Sequence, residues 1–250
     1  MLARDTFMRF AKKCKWNFLL FFMSYAWSDW NPELCFPGED LEMLKDPIFQ
    51  QLKADLAEEF STAWCSKEKI NLLMDLLYIA QPEVCVEVGV FSGSSIIPVC
   101  AMLRYLQKGT AVAIDAWSNA DAIRYIEDDD PNLPGWTYVD LLSAYLQFMR
   151  RLEERSLDCV VIPNNSESAS ELVDEIDFLH LDGDYTEKGS MLDVDSYLPR
   201  VKPGGYILIS NLFIMVNGKP PKMRAFSKLF DACEMICEID RDNAVLFCKN

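Results

Sequence analysis

The run Glu87-Val88-Gly89-Val90-Phe91-Ser92-Gly93-Ser94-Ser95 has the residue types needed to hold an anionic ligand. Glycines at 89 and 93 let a backbone turn sharply and approach a bound group closely. The run follows an apolar segment and opens a helical one, so free N–H groups and the positive end of a helix meet there. Glu87 and Ser95 add a carboxylate and a hydroxyl at its two ends. A second acid, Asp115, ends the apolar run 111–114. An acid at such a strand tip accepts hydrogen bonds from ribose hydroxyls, each contributing about 1.5–3 kcal/mol; its other reading is a helix cap. Asn165-Ser166-Glu167 follows a third apolar run, in position to meet a heterocyclic edge, to cap a helix at Ser166, or to do both. A further polar set, Asp182, Asp184, Tyr185, Lys188, Ser210 and Asn211, falls after two later apolar runs. These are the residue types of general-base chemistry and of hard-cation coordination.

The elements that must position these residues are legible as short apolar runs alternating with helical spacing. Strands are expected at 84–88, 111–115, 158–162, 176–181, 206–210, 235–239 and 244–248. Helices are expected at 94–106, 138–154, 166–175 and 187–198 between the first five, and at 222–232 before the last two. Ahead of them, residues 41–80 read as mostly helical, with Ile70, Leu73, Met74 and Leu77 at helix spacing and Pro82 closing the region. Strand–helix alternation implies a parallel sheet with right-handed crossovers. The last two strands meet at Asp240-Arg241-Asp242-Asn243 without a helix, which makes an antiparallel hairpin. The expected architecture is therefore a doubly wound α/β fold. Its mostly parallel seven-stranded sheet ends in that hairpin, with N-terminal helices added. Ligands of such sheets bind beyond the carboxyl ends of the strands, where the polar residues lie.

The chain of 250 residues divides into an N-terminal basic and apolar segment with a linker, 1–40, and one domain, 41–250. Arg4, Arg9, Lys12, Lys13 and Lys15 precede the apolar stretch 16–27. That stretch is too short for a clear membrane span. It is open between an export signal, a membrane-associating segment, and an amphipathic helix that covers the domain or mediates a homodimer. Nine cysteines without a disulfide rhythm or a zinc pattern fit a reducing compartment, so the expected location is the cytoplasm. A formal net charge of −15 repels nucleic acid and anionic membrane surfaces and favours a small or neutral substrate. The sole histidine, His180, points to the same strand face as Phe178 and Asp182; it reads as a core residue or as one that orients Asp182. Residues 117–136, rich in Trp, Tyr, Asp and Pro, are open between a lid and a solvated loop, and residues 211–221 form a second rim.

Taken as a spaced set, four motifs resemble the class I S-adenosylmethionine (SAM)-dependent O-methyltransferases over residues 65–250. They are Glu-x-Gly-x-x-x-Gly-x-Ser at 87–95, Ile-Asp at 114–115, Asp-Phe-Leu-His-Leu-Asp-Gly-Asp-Tyr at 177–185, and Leu-Pro-Arg-Val-Lys-Pro-Gly-Gly-Tyr-Ile-Leu-Ile-Ser-Asn at 198–211. The likeness is to the catechol and caffeoyl-CoA type, and more so to bacterial small-molecule and sugar methyltransferases. It implies a Rossmann-like fold, a small-molecule or sugar acceptor, and SAM contacts at Glu87, Gly89, Phe91, Gly93, Ser95, Asp115, Ser166 and Asp182. In that reading the helix N-terminus and Ser95 meet the methionine carboxylate, and Glu87 meets its ammonium.

The resemblance also implies a divalent cation such as magnesium on Asp182 and on a pair after the fifth strand. Here that pair is Ser210 and Asn211, one carboxylate short. The general base of the relatives, a Lys or His, is replaced by Tyr185, leaving Asp184, Tyr185 and Lys188 as candidates beside Asp182. This matters because ionising an alcohol whose pKa lies ~8 units above neutrality costs roughly 11 kcal/mol, and base catalysis offsets only about 10²–10⁴-fold in rate. A neutral amine needs no such ionisation, so N-methylation stays open, as does a SAM-binding protein without catalysis. An NAD-dependent oxidoreductase is disfavoured by the terminal hairpin and by the lack of a compact Gly-x-Gly-x-x-Gly.

Overall fold

The computed structural model describes residues 30–62, 64–239 and 243–250. The expectations for residues 1–29, including the basic and apolar stretch, lie outside the described residues. Seven strands form one sheet: β1 Val84–Val88, β2 Thr110–Asp115, β3 Val160–Pro163, β4 Ile176–Leu181, β5 Val201–Ile209, β6 Cys233–Ile239 and β7 Ala244–Lys249. Their order is β3-β2-β1-β4-β5-β7-β6. Neighbours from β3 to β5 pair in parallel, and β7 runs antiparallel between β5 and β6. The strand order reverses between β1 and β4, which leaves a crevice at the carboxyl ends of those two strands.

The principal helices are α1 Pro47–Phe60, α2 Lys67–Ala80, α3 Ile96–Leu106, α4 Leu141–Glu154, α5 Glu187–Tyr197 and α6 Met223–Ala232. Side chains alternate across the strands and build two apolar layers. One layer joins Cys85, Ala113, Phe178, Leu208 and Leu246 to α1, α2 and α3. The other joins Val86, Val88, Ile114, Leu179, Leu181 and Ile207 to Val194 and Tyr197 of α5 and Phe226 of α6. Glu87 and His180 lie on the first face by the same alternation, and the β1–β4 register sets them side by side. Helix α2 rests on that face: Ser66 caps it by accepting the Lys69 N–H at 3.1 Å, which fixes Lys69 in the first turn, above the strand ends.

Several boundaries differ from the sequence expectation for identifiable reasons. Strand β5 begins at Val201 rather than 206, because Pro203-Gly204-Gly205 lies inside it at a register shift against β4. The helix expected at 138–154 begins at Leu141, where Asp140 accepts the Ser143 N–H at 2.9 Å and starts a new cap. The helix expected at 166–175 is a single turn, Ser166–Ala169, followed by a 3-10 turn. Residues 30–40 carry a short helix, Pro32–Cys35, and Trp30 is fixed by hydrogen bonds to Glu68 (2.8 Å) and Asp75 (2.9 Å).

Candidate active site

The glycine-rich turn leaves β1 between its two neighbours: Gly89 N–H bonds Ile114 O at 2.9 Å, and Asp182 N–H bonds Val88 O at 2.9 Å. Gly89 has φ +87, and a Cβ there would meet Asp182 O and Gly183 at 2.5 Å. The turn can run this close to the β4 tip only with glycine. Gly93, at φ +86, lies against the Phe148 ring in the same way, with 2.5 Å to an added Cβ. Asp115 holds the turn from the other side. Its Oδ2 accepts the N–H of Val90 and of Phe91, each at 2.9 Å, and its Oδ1 accepts Trp117 N–H at 2.8 Å. A carboxylate has about four acceptor sites, so one remains on Oδ1. Phe91 (φ +50) and Trp117 (φ +42) adopt left-handed backbone here, and the Trp117 indole donates to Phe91 O at 2.7 Å. Such conformations persist where the surroundings over-determine them, and they cluster at ligand sites.

Behind the turn lies a buried polar chain. Ser95 donates its hydroxyl to Glu87 Oε1 at 2.7 Å, Glu87 Oε2 meets His180 Nδ1 at 3.0 Å, and His180 Nε2 meets Ser210 Oγ at 3.0 Å. Glu87, His180 and Ser210 are all buried. His180 is therefore bonded to side chains rather than to backbone. Ser95 directs its hydroxyl to Glu87, so no side chain caps α3.

Asp182 sits at the β4 tip among nitrogen groups. Lys69 Nζ lies 2.8 Å from its Oδ2, His180 Nε2 lies 3.6 Å from the same oxygen, and the Asn211 amide donates to Oδ1 at 2.5 Å. Burial pushes the Asp182 carboxyl up, but Lys69, His180 and Lys222 outweigh it and hold it below the usual carboxylate range. Lys222 is itself buried, donates to Ser210 O at 3.0 Å, and is pushed down by burial against the pull of Asp182, Asp193 and Asp184. Sequence reasoning missed both lysines. Lys69 carried a signal, since it shares helical spacing with Leu72, Leu73 and Leu76, all buried. Lys222 follows Pro220-Pro221 and carried none.

The remaining expected residues divide between the crevice and its rim. Asp184 Oδ1 accepts Thr186 N–H at 2.7 Å and shapes the turn into α5; burial pushes its carboxyl up. Tyr185 donates to Asp130 Oδ2 at 3.0 Å, and burial, then Asp130, push its phenol well above the ordinary value. Lys188 Nζ lies over the Tyr125 ring at 4.5 Å. Ser166 turns its hydroxyl to Asp193 on α5, and Asn165 rather than Ser166 caps the following turn, accepting Ser168 N–H at 3.0 Å. Segment 117–136 is pinned at Trp117, Tyr125 and Asp130, and Asn217 of the second rim reaches Asp129 O at 3.5 Å. The two rims thus meet beside the β4 tip.

The donor set does not suit the divalent cation implied for Asp182 and Asn211. One Asp182 oxygen faces an ammonium, the other takes the amide of Asn211, and the Ser210 hydroxyl is engaged with His180. Hard cations need several oxygen ligands, and two like unit charges 4 Å apart repel by about 4 kcal/mol at an effective dielectric of 20. Among the described residues, no group of three or more His, Cys, Asp or Glu could hold a metal ion.

A family model described as a methyltransferase domain matches residues 86–212, just over half of the chain. The chain belongs to that family, and with its sheet order it is a class I, SAM-dependent methyltransferase. Solved structures share the fold. The O-methyltransferase NovP has TM-score 0.60 at 15% identity, covering 84% of this chain and 100% of that one. The O-methyltransferase from Bacillus cereus in complex with SAH has TM-score 0.53 at 13% identity, covering 88% and 95%. SAH-bound methyltransferase PaMTH1 from Podospora anserina has TM-score 0.53 at 13% identity, covering 82% and 88%. No curated protein matches the chain by sequence at a significant level. No described helix is long and apolar enough to cross a membrane.

Proposed function

We propose that the protein transfers a methyl group from SAM to a small-molecule or sugar acceptor at oxygen, using the crevice between β1 and β4. The observation that carries this reading is the bonding of the Val90 and Phe91 amides to Asp115, which draws the tips of β1 and β2 onto one point. The site fits the cofactor. Gly89 and Gly93 let the turn pack onto the β4 tip and Phe148, the uncapped α3 N-terminus suits a carboxylate, and Asp115 retains an acceptor site for a ribose hydroxyl. When bound, SAM supplies an electrophilic methyl group on a sulfonium. Glu87 and Ser95 brace the turn from behind, and the Ser166 region forms the side where the adenine edge would lie.

On the acceptor side, Asp182 is the ionised, oriented group that accepts a hydrogen bond from the acceptor's O–H or N–H. The 117–136 and 211–221 segments supply a rim that excludes water. The net charge of −15 disfavours a polyanionic acceptor. N-methylation is the second reading. Tyr185 donates to Asp130 and its phenol is pushed up, so it is unsuited to taking a proton from an alcohol, whereas a neutral amine requires no prior ionisation.

The test is transfer of radiolabelled methyl from SAM into the small-molecule fraction of a lysate, with the product's O- or N-linkage assigned by mass spectrometry. Labelling that disappears in Asp182→Ala supports the reading. A wild-type protein that binds SAM yet labels nothing identifies a cofactor-binding protein without catalysis and overturns it.

A further inference from the structure

We propose that the ammonium of Lys69 takes the place of a divalent cation in the acceptor site, so that the site works with a built-in charge and takes up no metal. This deepens the reading above and rests on it. The proposal stands on three geometric facts.

First, Lys69 reaches the site from a different element than the strand tips. It is placed in the first turn of α2 by the Ser66 cap, and it descends onto the sheet face that carries Glu87, His180 and Asp182. Its side chain is 1% exposed, so the charge is fixed rather than drawn in from the surface. Second, Lys69 Nζ binds Asp182 Oδ2 at 2.8 Å while the Asn211 amide donates to Oδ1, leaving each oxygen a further acceptor site. Together they set the plane of the carboxylate, as second contacts set the orientation of a functional group. Third, the residue that would complete a carboxylate set, Ser210, is neutral and is tied to His180. A serine where the resemblance implies a carboxylate and a buried ammonium on Asp182 are complementary features. Removing one negative charge and a divalent ion while adding one monovalent cation keeps the pocket balanced. Lys69 is thus a positioning residue: it acts through Asp182.

The test uses full-length protein, with Mn²⁺ as the probe followed by its electron paramagnetic resonance signal and SAH binding followed by calorimetry. Wild type is expected to leave Mn²⁺ free and to bind SAH equally well with and without EDTA. Lys69→Ala is expected to bind Mn²⁺ at least about tenfold more tightly than wild type, with the gain lost in Lys69→Ala/Asp182→Asn and absent in Lys69→Arg. Stoichiometric Mn²⁺ uptake by wild type that Asp182→Asn abolishes overturns the proposal without needing any Lys69 variant to fold. So does a folded, SAH-binding Lys69→Ala protein that takes up no Mn²⁺. Failure of SAH to bind at all would instead sink the parent reading, so the two failures are distinguishable.

Discussion

Asp193, on α5, is fully enclosed and faces Ser166, Asp184 and Lys222, and burial pushes its carboxyl up to about 6. Its folded-state affinity for a proton thus exceeds that of the unfolded chain. Below the unfolded value near 3.8 both states hold the proton and the full contribution is present; as pH rises through 6 the folded state must ionise a buried acid and the contribution is lost. The replacement Asp193→Asn keeps an acceptor for Ser166 without the titration. Urea unfolding should show wild type losing about 2 kcal/mol relative to this variant between pH 4 and pH 7. A gap that stays flat over that range would show that Asp193 is already ionised at low pH. The same residue explains why Ser166 was only half legible: its sequence position suggests the edge of an adenine site, but nothing in the sequence reveals that its hydroxyl turns to α5.

The turn between β1 and α3 is the element on which the cofactor reading depends, and its tolerance to change is specific. Gly89 combines φ +87 with backbone atoms 2.5 Å from an added Cβ, whereas Gly218, at φ +77, has open space around it. Gly218→Ala therefore meets only conformational strain, of about 1–2 kcal/mol. Gly89→Ala must also push the turn off β4. Thermal melts should show Gly89→Ala destabilised by clearly more than Gly218→Ala; equal shifts would mean that the turn does not pack on the β4 tip. At this scale the sequence was informative, because strands buried on both faces are bound to read as apolar runs, and all seven expected strands overlap observed ones. It misplaced the start of β5, since a Pro-Gly-Gly run reads as a turn although a bulge accommodates it within the strand.

Across the molecule, the buried polar chain Ser95–Glu87–His180–Ser210 runs from the glycine-rich turn to the end of β5, and Lys69 and Lys222 flank it. Each member comes from a segment whose own periodicity says only that it is buried. Glu87 and His180 become neighbours through the β1–β4 register, and Lys69 reaches Asp182 across 113 positions of sequence. Local pattern carries the layers of such a fold, but partners across layers are set by packing, which is why Asp115 and Asp182 can be placed at strand tips from the sequence and Lys69 cannot be placed beside them. The same long-range convergence brings the β1, β2 and β4 tips together, as the proposed site requires. Its direct test is a calorimetric titration of SAM into the full-length protein, with NAD as the control ligand. The account predicts one SAM per chain at micromolar affinity, weakened at least about tenfold in Asp115→Ala, and no binding of NAD. Absence of SAM binding, or binding of NAD in its place, would contradict it.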